Sequence, residues 1–276
     1  MSVTTSKPLM QAQDGAIGSE KKAHIVRVGP TIWHWQLLTL FAFGLAWEFV
    51  ARNGYIDPLF IGTPSKILKF GYVELFVTGK LVEDMLWTIA GTAISFILGS
   101  VAGIATGLLF VSVPTAERFC EPFLSAMNAL PRIALAPLFL LWFGLGIGSK
   151  VALGFSLTYF IVLSSTVAGA RSVDRDFLVL ARTLGASPAK IFMRITLVSA
   201  VPTLFSGLRL GLIYSLLGVI AGEIISAQHG LGQQLSYLAG TFQIDGVFAV
   251  LLLLALLGSS LTYGMSALES RLIRWR

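Results

Sequence analysis

Charged residues are scarce in this chain of 276 residues. Asp, Glu, Lys and Arg make up 12% of it, whereas hydrophobic residues make up 55%. Soluble domains carry about 25% charged residues, so the composition argues against a soluble protein, and the mean hydropathy of +0.80 agrees. The net charge of +6 does not indicate a nucleic-acid partner, because Lys and Arg in a membrane chain usually report its topology.

The chain also has only one cysteine and lacks the common catalytic motifs. Cys120 is the single cysteine, so neither an intrachain disulfide nor a Cys metal cluster can form. The three histidines, His24, His34 and His229, lack metal-ligand spacing. The sequence contains no phosphate-binding G-x-x-x-x-G-K-[ST] motif and no H-E-x-x-H motif. We therefore expect no catalytic residues, no metal and no cofactor on this chain.

Long apolar blocks are what the chain has in abundance. Six of them approach or exceed the roughly 20 residues that cross a bilayer as a helix, at about 32–50, 87–110, 119–145, 151–170, 201–225 and 247–268. Pro122, Pro131 and Pro137 interrupt the third block, which predicts a broken helix lining a cavity. We predict an all-α membrane protein with about six transmembrane helices.

The ends of the chain and its basic residues predict the topology. Residues 1–31 are polar and lack the apolar core of a signal peptide. We expect a cytoplasmic tail there and a transmembrane domain at 32–276. With the N-terminus inside, thirteen Lys and Arg residues fall in cytoplasmic segments and five in outer ones. This excess favours cytoplasmic positions for both termini.

Glycines recur at intervals of four in two of the blocks. The second block contains Gly99, Gly103 and Gly107, and the fifth contains Gly207 and Gly211. Small residues at this spacing allow another helix to approach closely. We interpret them as helix packing in a tight bundle rather than as chemistry.

A basic segment at about 171–199, called the island below, separates the fourth and fifth blocks. Ser172 or Asp174 can cap a first helix, and Gly185 suits the left-handed cap that ends it. Ser187 offers a new N-cap, which Pro188 follows at the first helical position. The pattern predicts two short helices with a hinge at Gly185.

The island resembles the cytoplasmic "EAA" loop of ABC importer permeases. That pattern reads Glu-Ala-Ala, three residues, Gly, nine residues, Ile, one residue, Leu-Pro. Here Val-Leu-Ala at 179–181 stands at the triplet, and the sequence departs from the pattern at Val179 and Val198. In the family this loop docks on the ATPase subunit. The resemblance assigns that coupling role to Ala181, Arg182, Gly185, Ala186, Ser187, Pro188, Ile195 and Leu197.

Other stretches resemble the nitrate, taurine and aliphatic-sulfonate branch of these permeases. They include Leu-Pro-Arg-Ile-Ala at 130–134, Trp-Phe-Gly-Leu-Gly at 142–146, Ala-Gly-Glu at 221–223 and Gly-Leu-Gly at 230–232. The resemblance extends from about residue 56 to the C-terminus. It implies the type I ABC importer permease fold.

The resemblance also implies partners and a location. Two copies of the chain would form the pathway in the bacterial inner membrane. Two ABC ATPase subunits, which would bind ATP and Mg²⁺, would dock on the islands. A periplasmic or surface-tethered binding protein would deliver the solute, which is expected to be a small anion such as a sulfonate, taurine or nitrate.

Three charged residues inside the apolar blocks are candidates for the pathway. A charge within a bilayer is costly unless it faces protein or water. Arg132 could line the pathway and attract an anion, or it could belong to a structural pair or lie nearer the interface. Arg209 could snorkel to the interface, and Glu223 could seal the outer gate or bind a neighbour. For all three residues the structural roles are favoured.

Two other classes of protein stay as alternatives. A secondary transporter of small anions working alone would show an internal repeat with paired broken helices, and none is convincing here. A membrane-embedded enzyme needs a cluster of polar catalytic residues, which the sequence does not show.

Overall fold

The computed structural model describes residues 31–225 and 228–272, and over this part of the chain every regular element is helical. The α-helices are α1 (Thr31–Arg52), α2 (Pro58–Ile61), α3 (Pro64–Tyr72), α4 (Lys80–Ser112), α5 (Pro114–Ala129), α6 (Ala136–Phe143), α7 (Ile147–Arg171), α8 (Arg175–Thr183), α9 (Pro188–Ile191), α10 (Leu197–Ile225), α11 (Leu231–Gly240) and α12 (Ile244–Leu272). Two π-helical segments, Val73–Val77 and Phe192–Thr196, and a 3₁₀ turn, Arg132–Leu135, join them.

The chain divides into two units, residues 1–46 and 47–276. Within the first unit, the described residues form the beginning of α1, where the Thr39 hydroxyl donates to the Trp35 carbonyl at 2.8 Å. The predicted N-terminal tail lies outside the described residues, as do Arg274 and Arg276 of the positive-charge count.

Four of the six predicted spans are single helices long and apolar enough to cross a bilayer. They are α4, α7, the continuous helix Pro188–Ile225 and α12. The third span is broken, as its prolines predict: α5 and the segment Arg132–Phe143 meet at an angle of 85°. The predicted count of six is therefore approximate. The block at 32–50 forms α1, whose apolar character is diluted by His34, Gln36 and Glu48.

Helices α4 and α7 pack along the glycines of α4. A Cβ atom added to Gly103 would lie 2.8 Å from the carbonyl oxygen of Tyr159, and one added to Gly107 would lie 2.7 Å from Cβ of Thr166. Neither side can move without shifting a helix, so only glycine fits. This confirms the packing interpretation of the α4 glycines.

Helix α10 meets α7 in the same way. A Cβ atom on Gly207 would lie 2.2 Å from Cβ of Ser165, and one on Gly211 would lie 3.0 Å from a methyl group of Val162. Helices α4, α7 and α10 thus form the centre of the second unit. We call the end of this bundle that carries residues 171–199 the island end, and the opposite end the far end.

At the far end, α11 lies against a small apolar core. Leu81 of α4, Leu231 and Leu238 of α11 and Val250 of α12 form one buried cluster. These contacts fix α11 to two spanning helices, so the start of α11 is held close to the bundle.

Candidate functional site

The first half of the island ends in the turn that its sequence predicts. The Asp174 side chain caps α8 by accepting from the backbone N–H of Asp176 at 3.0 Å. Gly185 adopts φ +77°, in the left-handed region. The N–H of Ala186 donates to the carbonyl of Ala181 at 3.0 Å, and the N–H of Gly185 donates to that of Arg182 at 2.9 Å. This is a Schellman-type helix end, which confirms the predicted turn at Gly185.

The second half begins as predicted but does not stop. The Ser187 hydroxyl accepts from the N–H of Lys190 at 3.4 Å, with Pro188 in the first turn. The helix then runs through the π-helical segment directly into α10, so it is not a separate short helix. No turn residue stands between Ile191 and Leu197 to end it. Ile195 and Leu197 therefore belong to the base of α10.

An apolar face on α8 was not predicted from the sequence. Phe177, Leu180 and Leu184 are exposed, and the exposed fraction of Leu184 is 78%. Their spacing of three and four residues places them on one side of the helix. Exposed apolar patches of this kind mark interaction surfaces. The signal was present in the spacing of the three residues.

Behind this face, the island encloses a basic cavity of about 650 Å³. Arg171, Arg175 and Arg182 line it together with apolar residues such as Phe192. Arg171 also pairs with Glu117 of α5, which ties the island to the broken span. The island therefore has a firm connection to the bundle on one side and an apolar face on the other.

Both arginine candidates for the pathway have partners within the chain. The Arg132 guanidinium lies 4.3 Å from the centre of the Phe160 ring and donates to the side chain of Asn128. Arg209 pairs with Glu269 of α12. These contacts agree with structural roles, and the pathway roles stay predictions.

Glu223 lies at the far end, with an exposed fraction of 1%. Its carboxylate accepts from the Thr88 hydroxyl at 2.9 Å and from the backbone N–H of Gly232 at 2.9 Å. Gly230 must be glycine, because a Cβ atom there would lie 2.2 Å from the Glu223 carboxylate. Of the two roles expected for Glu223, the structure shows the contact with a neighbouring element.

Three further buried side chains surround Glu223. Asp84 accepts from the N–H of Gly230 at 2.8 Å, and the Thr88 hydroxyl accepts from the N–H of Leu231 at 2.9 Å. Lys150 donates to the carbonyl of His229 at 3.0 Å. We call Asp84, Thr88, Lys150 and Glu223 the far-end cluster. It holds the start of α11 through consecutive backbone N–H groups.

The three pathway candidates are thus not brought together. Arg132 lies at the bend of the broken span, beside Phe160. Arg209 pairs with Glu269 near the C-terminal end of α12, and Glu223 is buried at the far end. They do not form one binding site within a single copy of the chain.

Comparison with known proteins identifies the family. The family model described as binding-protein-dependent transport system inner membrane component matches residues 95–274, well over half of the chain. The chain belongs to this family of ABC importer permeases. The permease is 36% identical over 252 residues to the formylaminopyrimidine transport permease protein ThiX of Halalkalibacterium halodurans, covering 90% of this chain and 95% of that protein. It is 28% identical over 255 residues to the taurine transport system permease protein TauC of Escherichia coli, covering 88% and 93%.

The similarity to solved structures concerns the fold. A chain of the MetNI methionine ABC transporter, in an inward-facing conformation, superposes with a TM-score of 0.60 at 19% sequence identity, covering 70% of this permease and 96% of that chain. The expected type I importer permease fold is confirmed.

Proposed function

We propose that this permease couples to a separate ATPase through its island. The observation that carries the proposal is the hinged pair of helices with an exposed apolar face formed by Phe177, Leu180 and Leu184. Beyond the turn at Gly185, the continuous helix from Pro188 to Ile225 leads into the core of the bundle. An element that receives motion from a partner needs both a docking face and a stiff connection to the moving helices.

The proposed arrangement follows from one island in each chain. Two copies would form the pathway, and two ABC ATPase subunits carrying ATP and Mg²⁺ would dock on the two islands. The excess of Lys and Arg favours cytoplasmic positions for the island end and for both termini. A binding protein would deliver the solute at the far end. ATP binding would then turn the islands and switch the spans between inward-open and outward-open forms.

The solute is proposed to be a small anion of the taurine or sulfonate kind. Similarity to the taurine permease and to a putative aliphatic sulfonates permease of Bacillus subtilis, 28% identical over 230 residues, supports it. A nitrogen heterocycle is the second candidate, favoured by the 36% identity to the formylaminopyrimidine permease. The binding protein would set most of the selectivity.

The coupling proposal is tested by replacing Gly185 with valine, because a β-branched residue is strained at φ +77°. Gly79→Val is a matched control. Gly79 has φ +72°, and like Gly185 it has no atom within 4 Å of an added Cβ, but it lies at the far end. We expect Gly185→Val to lose copurification of the coexpressed ATPase and ATP-driven uptake in proteoliposomes, while Gly79→Val retains both.

Other outcomes would count against the proposal. Equal behaviour of the two variants would mean that the hinge at Gly185 does not dock the ATPase. Uptake by the purified permease in liposomes without any ATPase would instead support the secondary transporter.

A further inference from the structure

Helix α5 exposes an apolar side and a polar side. None of its residues is buried. Phe119, Phe123 and Met127 are exposed along one side. In a bilayer, such a side can contact lipid or another apolar helix.

The other side of α5 carries a polar stripe, which is formed by Glu117, Glu121, Ser125 and Asn128. The spacings of four, four and three residues keep the stripe within about a quarter of the helix circumference. Carboxylate and amide groups are too costly to leave in lipid, so a stripe of this kind faces protein or water.

A cavity of about 380 Å³ lies between the polar stripe and α7. Helix α7 contributes Phe160, Ser164 and Arg171, and Phe110 of α4 adds a second aromatic wall. Sites for small molecules occupy about 300–1,000 Å³ and combine apolar walls with a few convergent polar groups. The cavity has both properties.

Three charged residues line the cavity, Glu117, Glu121 and Arg171, which leaves an excess of one negative charge there. Glu117 pairs with Arg171, and Arg132 lies over the Phe160 ring and donates to Asn128. Among residues 31–225 and 228–272, no ion pair is formed by Glu121. An ionised carboxylate only accepts hydrogen bonds, so a ligand at Glu121 must donate them.

We propose that Glu121, together with Ser125, binds the amine or amino N–H group of the transported solute. This rests on the proposed importer function and narrows its substrate class. An aminosulfonate and an aminopyrimidine both carry such a group, whereas nitrate and amine-free sulfonates do not. Phe110 and Phe160 then contact the remainder of the solute.

The first test measures water access and electrostatics at the cavity without any partner protein. Ser164→Cys is introduced together with Cys120→Ser, which leaves one thiol facing the cavity. The permease in membranes is treated with a cationic trimethylammonium methanethiosulfonate or an anionic sulfonate methanethiosulfonate. We expect the cationic reagent to react about tenfold faster, because a charged cleft concentrates the opposite charge.

Glu121→Gln is expected to abolish this preference. The control is Glu83→Gln, because Glu83 is an exposed carboxylate at the far end and does not line the cavity. It should leave the preference unchanged. Equal rates for the two reagents when Glu121 is present, or no reaction with either, would overturn the proposal.

The second test asks whether ligands protect the same thiol. Millimolar taurine and 4-aminopyrimidine are compared with ethanesulfonate and pyrimidine, which lack the amine. Protection by either amine-bearing probe alone, lost in Glu121→Gln, supports the proposal and distinguishes an aminosulfonate from a heterocycle. Protection by the amine-free probes to the same extent, or by none of the four, contradicts it. Neither test needs the ATPase, so its failure leaves the coupling proposal standing, and the reverse also holds.

Discussion

Two polar regions of this permease, the far-end cluster and the cavity beside α5, show how differently the same side chains can be used. At the far end, Glu223 and Thr88 are almost completely buried and hydrogen-bonded to the start of α11. Beside α5, Glu121 is exposed and forms no ion pair within the described part of the chain. A glutamate on a membrane helix therefore indicates structure when the fold supplies its partners. At Glu121, where the fold leaves the carboxylate acceptors open, we propose a ligand instead.

The largest expected effect is on the far-end cluster, in Gly230→Ala. The new Cβ atom would meet the Glu223 carboxylate at 2.2 Å, and the backbone has φ +117°. Strain of about 1–3 kcal/mol adds to broken hydrogen bonds of about 1–3 kcal/mol, so the permease should unfold at a clearly lower temperature in detergent. Gly240→Ala, with no atom within 4 Å of the added Cβ, is the control. Equal unfolding temperatures would mean that the cluster does not hold α11.

A smaller loss is expected from Thr88→Val. Valine keeps the shape of threonine but removes the hydroxyl that accepts from Leu231 and donates to Glu223. Leaving these groups unpaired should cost about 2 kcal/mol of unfolding free energy. Thr262→Val is the comparison, because among the described residues the Thr262 hydroxyl bonds only a carbonyl of its own helix, that of Gly258, at 2.8 Å. Denaturant titration of both variants measures the two losses of unfolding free energy. Equal losses would show that the hydrogen bonds of Thr88 to Leu231 and Glu223 do not stabilise the permease.

The smallest effect on stability is expected for Glu121→Gln. Its carboxylate has no ion pair to lose among the described residues, so the unfolding temperature should change by less than about 2 °C. Glu223→Gln, measured in the same thermal assay, should lower it more. A large fall in the unfolding temperature of Glu121→Gln would mean that Glu121 stabilises the fold. The two polar regions would then not differ in their use of glutamate.

Local signals in the sequence predicted the local structure well. Asp174, Gly185 and Ser187 act as caps and hinge because capping depends on residues within one turn of each other. The glycines of α4 and α10 predicted close packing for the same reason, since their small size is visible in sequence. The second island helix was predicted to be short, whereas it continues into α10. This continuation was harder to predict, because it depends on the absence of a residue that would end the helix.

Long-range contacts could not be predicted. Glu223 meets Thr88 across 135 positions, and no single-sequence pattern pairs Asp84 with Gly230. The polar stripe of α5 was detectable, since Glu117, Glu121, Ser125 and Asn128 recur at helical spacing. It was missed because the third block was treated as apolar from residue 119 onward, although Glu121 lies within it.

The helix from Pro188 to Ile225, which contains the π-helical segment Phe192–Thr196 and Pro202, can act as a mechanical lever. Its 38 residues span about 57 Å at 1.5 Å per residue. The helix begins just after the turn at Gly185 and ends beside the far-end cluster. A tilt of about 5° at the hinge would displace the far tip by about 5 Å over that length. The π-helical segment Phe192–Thr196 and Pro202 are the places where this helix would bend first, because each interrupts the regular α-helical hydrogen bonding.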